Sequence, residues 1–293
     1  MKVRLESGNF LSVTDVTSQE LLLLINRAQE LKQSPSSTSR PLLKGKTLAL
    51  LFEKPSLRTR VSFEVAMEQL GGHAIHLSQT DVGIGSREPI SDIGKVLSRW
   101  VHGIAYRAFD HKSIEDLALN STVPIINALS DLEHPCQALG DLLTIKENFL
   151  SLDQCIISFV GDGNNVASSL ALAAMAVGAT FRIASPKGYG LPQTIVDRAK
   201  NIARLTGANL QQMDNPVEAA KHANVIYTDV WASMGQEEHA NVRKKIFAEF
   251  KVTDHLLRQA KSSAIFMHDM PAHYGEEIEL GFLDHPQSVA FDQ

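Results

Sequence analysis

Short apolar runs alternate with helix-period patterns through nearly the whole chain, and that alternation leaves few folds open. The runs fall at residues 47–52, 74–77, 103–106 and 124–127, and again at 155–160, 180–184, 224–228 and 263–268. Helical patterns lie between them at 61–70, 91–101 and 113–119, and a longer one runs over 135–149. Strands apolar on both faces must be covered on both, and strands joined through helices lie parallel. The reading is an α/β fold: two doubly wound domains, each a parallel sheet covered by helices, with the active-site cleft between them. The polar stretch 151–154 marks the boundary, giving domains 1–150 and 151–293. Ahead of the first strand, Leu21, Leu22, Leu24, Ile25, Ala28 and Leu31 recur at helical spacing, with Thr17 or Ser18 as cap, and 34–41 reads as a loop.

Composition removes several classes of function. The 293 residues suit two domains of roughly 150 each. With 44% hydrophobic residues each can bury a core, which excludes disorder. A net charge of −5 argues against a general binder of nucleic acid or anionic membrane. The apolar stretch at 168–181 is too short and too rich in small residues to span a bilayer, and the start MKVRLESGNF has no signal-peptide core. Two cysteines, Cys136 and Cys155, are too few for a disulfide framework. The expectation is a soluble cytoplasmic protein with small-molecule partners, no nucleic acid and no membrane.

In open parallel sheets, ligands bind beyond the carboxyl ends of the strands. The residues just past each run are therefore informative. Glu53-Lys54-Pro55-Ser56-Leu57-Arg58-Thr59-Arg60 comes after the first, and Arg107 and Asp131-Leu132-Glu133-His134-Pro135-Cys136-Gln137 come after two others. In the second half stand Gly161-Asp162-Gly163-Asn164-Asn165, Asp229-Val230-Trp231-Ala232-Ser233-Met234-Gly235 and Asp269-Met270-Pro271. A cleft between two domains would collect all six.

Ser56, Arg58 and Thr59 stand where a helix begins, and helix N-termini with hydroxyl and guanidinium donors suit a phosphate. No Walker glycine-lysine pattern is present, so a nucleoside triphosphate is not implied. A capped helix with solvated arginines would use the same residues, although Arg107 and His134 at neighbouring strand ends weigh against it. The turn at Gly161 and Gly163 fails as a dinucleotide fingerprint, because the third glycine is Val166 and the next strand ends Ile183-Ala184-Ser185 without an acid. A nicotinamide cofactor is not expected. The asparagine pair reads as amide groups for a small polar ligand, or as a turn closed by its own side chains. His134 lacks the spacing of a metal site, so it is read as a donor to a carbonyl beside Gln137, with Cys136 as packing. Neither metal nor cofactor is called for. Asp229 gives the second domain an acidic edge that suits a cationic substrate, whereas Glu237 and Glu238 read as a solvated loop and Trp231 as packing.

At Phe52–Arg60 and His134-Pro135-Cys136-Gln137 the chain resembles the aspartate/ornithine carbamoyltransferases, and Asp229–Gly235 narrows the resemblance to the ornithine branch. It covers the chain from about residue 9 onward. The resemblance implies a carbamoyl-phosphate domain, an amino-acid domain, a homotrimer or a multiple of it with sites at subunit contacts, and a place in arginine biosynthesis. Carried over, Ser56, Leu57, Arg58 and Thr59 would hold the phosphate, and Arg107 would reach phosphate and carbonyl oxygen. His134 would reach the carbonyl oxygen and Gln137 the carbamoyl amide, with Asp269 and Met270 completing that site. Asn165, Asp229, Ser233 and Met234 would hold the α-amino and α-carboxylate ends of ornithine. The catalytic set would be Arg58, Arg107, His134 and Asp269.

The chain also departs from the family's pattern. Leu57 stands where Thr is usual, and Gly83 stands where a glutamine is often lent to the neighbouring subunit. His268-Asp269-Met270-Pro271 replaces the family's His-Cys-Leu-Pro, and the sequence ends at Gln293 where relatives continue into a helix with another ligand-contacting arginine. An ionised Asp269 would stabilise the ammonium form of the attacking amine, predicting tighter amine binding and a more alkaline optimum.

Overall fold

The computed structural model describes residues 5–33, 41–232 and 240–293. Contacts divide the chain into two compact units after Cys136.

In the first unit, strands β1 (Thr47–Phe52), β2 (His73–Ser78), β3 (Gly103–Arg107) and β4 (Ile125–Leu129) form a parallel sheet in the order β2-β1-β3-β4. Leu48 pairs with Ala74 on one side and with Gly103 on the other. Side chains of β1 alternate between faces, as a strand requires. Ala49 and Leu51 join Ile104 and Tyr106 against Ile93 of α4 (Ile90–Leu97) and Ile114 and Leu117 of α5 (His111–Leu119). Leu48, Leu50 and Phe52 join Ala105 and Ala128 under Met67 of α2 (Leu57–Gln69). Each fully buried leucine or phenylalanine contributes about 1.5–3 kcal/mol. Coverage is less complete than the sequence suggests: Leu43, Phe63, Met67, Leu70 and Ile126 line an open apolar groove on the α2 side. The Gly83 departure has a local cause, because Gly83 closes the short helix α3 (Gln79–Val82) with a left-handed φ of 68°.

The first helix, α1 (Ser18–Gln33), is capped by Thr17, whose Oγ1 accepts the Glu20 N–H at 3.2 Å while Glu20 accepts the Thr17 N–H at 2.8 Å.

In the second unit, β5 (Ile156–Val160), β6 (Thr180–Ala184), β7 (Asn209–Met213), β8 (Val225–Thr228) and β9 (Ile265–His268) are parallel in the order β7-β6-β5-β8-β9. The small-residue stretch forms α7 (Asn165–Ala176), buried from Val166 through Ala176 and packed between the sheet and α8 (Gln193–Thr206). Its alanines let the helix approach closely where larger side chains would hold it off. A second core gathers Trp231, Phe247, Phe250, Phe266 and Phe282, with Trp231 stacked on Phe247 at 5.8 Å, which bears out its reading as packing. Strand β7 escapes the apolar pattern. It is an edge strand reading Asn-Leu-Gln-Gln-Met, held to β6 by main-chain pairing and by Arg182 Nε donating to Gln211 Oε1 at 3.1 Å. Helix α6 (Pro135–Asn148) lies at the division, with all but its first residues in the second unit.

Candidate active site

In each sheet the chain runs outward in one direction, then returns and runs outward in the other. The crevice lies at the switch, between β1 and β3 in one unit and between β5 and β8 in the other.

At the first switch, Ser56 leaves β1 in an extended conformation and caps α2, its Oγ accepting the Thr59 N–H at 3.3 Å. The first turn of α2 carries no acid, although acids are favoured there, so its positive end stays available to an external anion. Arg107 ends β3 where the pairing with β4 slips between Tyr106 and Arg107, an irregularity that re-aims the side chain. Arg107 is 5% exposed and its Nη1 donates to Thr59 Oγ1 at 3.3 Å. Ser56, Thr59 and Arg107 thus converge, with Arg58 exposed beside them. Arg60 turns away to Glu64 at 2.9 Å. Leu57 points outward and is 74% exposed, so what it can offer an anion at the helix start is main chain.

Lys54, in the segment past β1 but given no role by the sequence, stands beside Arg107. It is buried, its ammonium lies 4.6 Å over the Phe109 ring, and burial followed by the charge of Arg107 holds its pKa below the usual lysine range. Glu53 gives one oxygen to the Tyr106 hydroxyl at 2.7 Å and the other to the Phe109 N–H at 2.6 Å, so it braces the loop.

His134 is buried, and burial together with Arg107 pushes its pKa down to about 3. It is a neutral hydrogen-bonding imidazole at physiological pH. The loop that presents it is fastened by Glu133, fully buried, which accepts the Ser12 hydroxyl at 2.6 Å and the Val13 N–H at 3.1 Å. Pro135 then opens α6, where its missing N–H costs nothing. Burial pushes the Cys136 thiol up to about 12 and its Sγ donates to the Asn127 carbonyl at 3.4 Å, which leaves no thiolate nucleophile.

At the second switch the glycine-rich turn serves its own fold. Gly163 donates its N–H to the Tyr189 carbonyl at 2.7 Å, and a Cβ built on it would lie 2.3 Å from the Gly190 carbonyl carbon. The glycine admits the neighbouring loop. Asn164 caps α7, accepting the Val166 and Ala167 N–H groups at 3.1 and 3.0 Å, and its Nδ2 donates to Asp229 Oδ2 at 2.6 Å. Asn165 Oδ1 accepts from Val166 N at 3.0 Å at the start of the same helix. The tie between Asn164 and the acid is one that sequence spacing could not show.

Asp162 pairs with Arg243 of α9 (Ala240–Ile246), which also donates to the Trp231 carbonyl and lies 4.9 Å from the Tyr189 ring. Burial raises the Asp162 carboxyl to about 6 against the pull of Arg243. Asp229, buried and bonded to Asn164 and to the Val230 N–H at 2.7 Å, has no basic partner among the described residues. Asp269, directly after β9, brings a second carboxylate to it: ligand atoms of Asp229, His268 and Asp269 lie within 4.8 Å of one another. This trio does not make a metal site. His268 Nδ1 accepts the Met270 N–H at 2.9 Å, so Nε2 carries the proton it shares with Glu277 Oε1 at 3.2 Å, and both nitrogens are occupied. What the cluster presents is a pair of neighbouring carboxylates, Asp229 and Asp269. Met270 adopts a left-handed φ of 56° ahead of a cis peptide bond to Pro271. Gln137, on α6, donates Nε2 to Asp141 Oδ1 at 2.9 Å. Ser233, Met234, Glu237 and Glu238 lie outside the described residues.

Residues 8–147 match the family model for the aspartate/ornithine carbamoyltransferase carbamoyl-P binding domain, and residues 153–293 match the model for its Asp/Orn binding domain. An ornithine carbamoyltransferase of Anoxybacillus flavithermus is 48% identical over 99% of this chain and 93% of the relative. An anabolic ornithine carbamoyltransferase of Pyrococcus furiosus is 46% identical over the whole of this chain and 93% of the relative. The solved ornithine carbamoyltransferase structure from Pyrococcus furiosus superposes with a TM-score of 0.94 at 45% identity, covering 99% of this chain and 93% of that one. With both family models matched, a basic switch point in one unit and an acidic one in the other, the chain belongs to the aspartate/ornithine carbamoyltransferase family.

Proposed function

We propose that the chain transfers the carbamoyl group of carbamoyl phosphate to the δ-amine of L-ornithine, giving L-citrulline and phosphate. The observation that carries this reading is the contrast between the two switch points: in the first unit the buried Arg107 donates to Thr59 at the positive end of α2, and in the second two carboxylates, Asp229 and Asp269, converge. A carbamoyl-phosphate anion suits the former and a diamino acid the latter, whereas aspartate as acceptor would meet acid with acid.

In this reading Ser56, the main chain at Leu57, Arg58, Thr59 and Arg107 hold the phosphate. Arg107 and His134 donate to the carbonyl oxygen, and Gln137 receives the carbamoyl amide, with Asp269 and Met270 bordering that group. Asn165, Asp229, Ser233 and Met234 hold the α-amino and α-carboxylate ends of ornithine. The neutral amine forms the new N–C bond, the C–O bond to phosphate breaks, and the departing phosphate takes the amine's extra proton as the tetrahedral centre collapses. Arg107 and His134 stabilise the intervening oxyanion. Because His134 is neutral, it contributes a directed hydrogen bond without needing a proton from solution. The phosphate departs already neutralised by arginine and helix N–H groups.

The attacking amine must first lose a proton, and its unperturbed pKa resembles that of lysine, about 10.4. A carboxylate nearby favours the ammonium. Asp269→Cys is therefore expected to move the alkaline rise of kcat down by about one pH unit and to raise KM for ornithine. Rate profiles from pH 6.5 to 9.5 check this, and superimposable profiles for the two proteins would remove Asp269 from the amine's surroundings.

The broader test is a substrate panel. Carbamoyl phosphate would be offered with ornithine, N-acetylornithine, putrescine or aspartate, with phosphate and the carbamoylated product both measured. Citrulline from ornithine alone is expected. Product from another amine would move the specificity, and bound carbamoyl phosphate without turnover would make the chain a non-catalytic binder.

We also propose a homotrimer, or a multiple of it, working in the cytoplasm in arginine biosynthesis. Leu57, Val61 and Val65 recur every four residues on one side of α2 and stay 74%, 46% and 45% exposed, an apolar stripe suited to a second copy. No helix among the described residues is long and apolar enough to cross a membrane. Light scattering in solution tests the assembly, and a monomer at micromolar concentration would refute it.

A further inference from the structure

We infer that Asp141 is a positioning residue: it fixes which end of the Gln137 amide faces the carbamoyl group, and so sets the preference for carbamoyl over acyl phosphates. The inference rests on the function proposed above and on Gln137 meeting the carbamoyl amide.

Asp141 lies one helical turn beyond Gln137 on α6 and is fully buried. Three donors converge on it. Gln137 Nε2 reaches Oδ1 at 2.9 Å, Gln293 Nε2 reaches the same oxygen at 2.6 Å, and the Tyr227 hydroxyl lies 3.2 Å from Oδ2. No lysine, arginine or histidine pairs with it among the described residues, and the charged groups facing this network, Asp229 and Asp269 beyond β8 and β9, are acids. Burial, the largest influence, pushes the Asp141 carboxyl up to about 7. The fold retains an ionisable group where an apolar side chain would be less costly, which asks for a reason.

An amide can rotate to exchange its donor and acceptor ends, so an isolated glutamine does not define what it presents. Here the polarity is anchored at a main-chain donor. The His268 N–H can only donate, and it donates to Gln293 Oε1 at 3.0 Å. That places Gln293 Nε2 toward Tyr227 Oη, at 2.8 Å, and toward Asp141. Asp141 Oδ1 is then an acceptor, whether or not a proton sits on Oδ2. Gln137 must give it Nε2, which leaves Oε1 as the end that faces away. An amide oxygen aimed at the substrate accepts from a carbamoyl NH2. Against an acetyl methyl it finds no donor and its desolvation goes uncompensated, and sites built to bond a donor discriminate strongly against analogues lacking it.

The test uses the full chain with kcat/KM for carbamoyl phosphate and Ki for acetyl phosphate as competitor. Asp141→Leu should lower kcat/KM roughly 10- to 100-fold while Ki for acetyl phosphate stays within about twofold. Asp141→Asn keeps an oxygen for Gln137 and should restore kcat/KM to within about threefold of the parent. In a Gln137→Leu background, Asp141→Leu should cost nothing further, because the residue acts through the amide. Should Asp141→Leu fail to fold by circular dichroism, Gln293→Met loosens Asp141 without emptying its place, and a smaller selective loss is expected. Parallel weakening of both phosphates, or an added loss in the Gln137→Leu background, would overturn the inference. A parent chain that makes no citrulline would instead overturn the functional reading beneath it.

Discussion

Arg107→Gln is expected to lower kcat/KM for carbamoyl phosphate by about 10³- to 10⁵-fold, the largest loss from any single change at the first switch point. Arg107 is 5% exposed, sits at the slip in the β3–β4 pairing, and bonds Thr59 Oγ1 at 3.3 Å. It is asked to do two things: hold phosphate, worth about 1.5–3 kcal/mol as a charged hydrogen bond, and stabilise the oxyanion, worth about 3–4 kcal/mol. Glutamine keeps a polar group there but neither the charge nor the fork. A second signature separates this from a folding defect. Arg107 is the lesser cause, after burial, of the low His134 pKa, so its removal should let that pKa rise from about 3. Steady-state kinetics from pH 5 to 9 decide the matter. A loss smaller than tenfold, with the fold intact, would mean that Arg107 touches neither phosphate nor oxyanion.

Gly163→Ala should destabilise the protein by about 3 kcal/mol or more, lowering Tm by roughly 6–12 °C. The new Cβ would lie 2.3 Å from the Gly190 carbonyl carbon, 2.4 Å from its oxygen and 2.5 Å from the Leu191 nitrogen. All three are backbone atoms, so no side chain can swing aside, and relief requires moving a loop that Gly163 itself bonds through Tyr189 at 2.7 Å. The displaced turn carries Asn164, which holds Asp229, so KM for ornithine should rise more than KM for carbamoyl phosphate. Gly140→Ala is the control. It sits inside α6 with its nearest new contact, the Gln293 carbonyl oxygen, at 3.8 Å, and should stabilise by up to about 1 kcal/mol. Calorimetry on the three proteins tests both signs; a Gly163→Ala protein melting within about 2 °C of its parent would show the loop to be freely movable.

Much of the architecture is legible because each central strand is covered from both sides, and burial leaves a contiguous apolar run. Phe159 and Val160 of β5 and Ile104 and Ala105 of β3 are buried and announce themselves. Strand β7 does not, because an edge strand needs only its main chain to pair, so Asn209, Gln211 and Gln212 can occupy it. The switch-point rule then locates the chemistry. Ser56, Thr59, Arg107 and His134 all lie at or just past strand ends, and the structure brings Arg107 onto Thr59 across the β1–β3 crevice.

The residues that escape are those whose function depends on a neighbour distant in sequence. Lys54 stands in the segment past β1 with no role readable from its neighbours in sequence, and only folding buries it beside Arg107 and over Phe109. Asn164 and Asn165 are alike in sequence, and only folding shows Asn164 capping α7 while its amide holds Asp229. Asp141 is a helix residue with no motif of its own, and Gln293 bonds it across 152 positions.

The class of fold, the basic and acidic groups of residues at strand ends and the failure of the dinucleotide fingerprint can all be read from the chain before it folds, since periodicity and strand-end chemistry are local properties. The protonation of His134, the orientation of Gln137 and the meeting of Asp229 with Asp269 exist only once it has folded. The reason is physical. Burial and the field of nearby charges set a pKa, and a hydrogen-bond network sets an amide's polarity. Both are fixed by which atoms come within a few ångströms, whatever their separation along the chain.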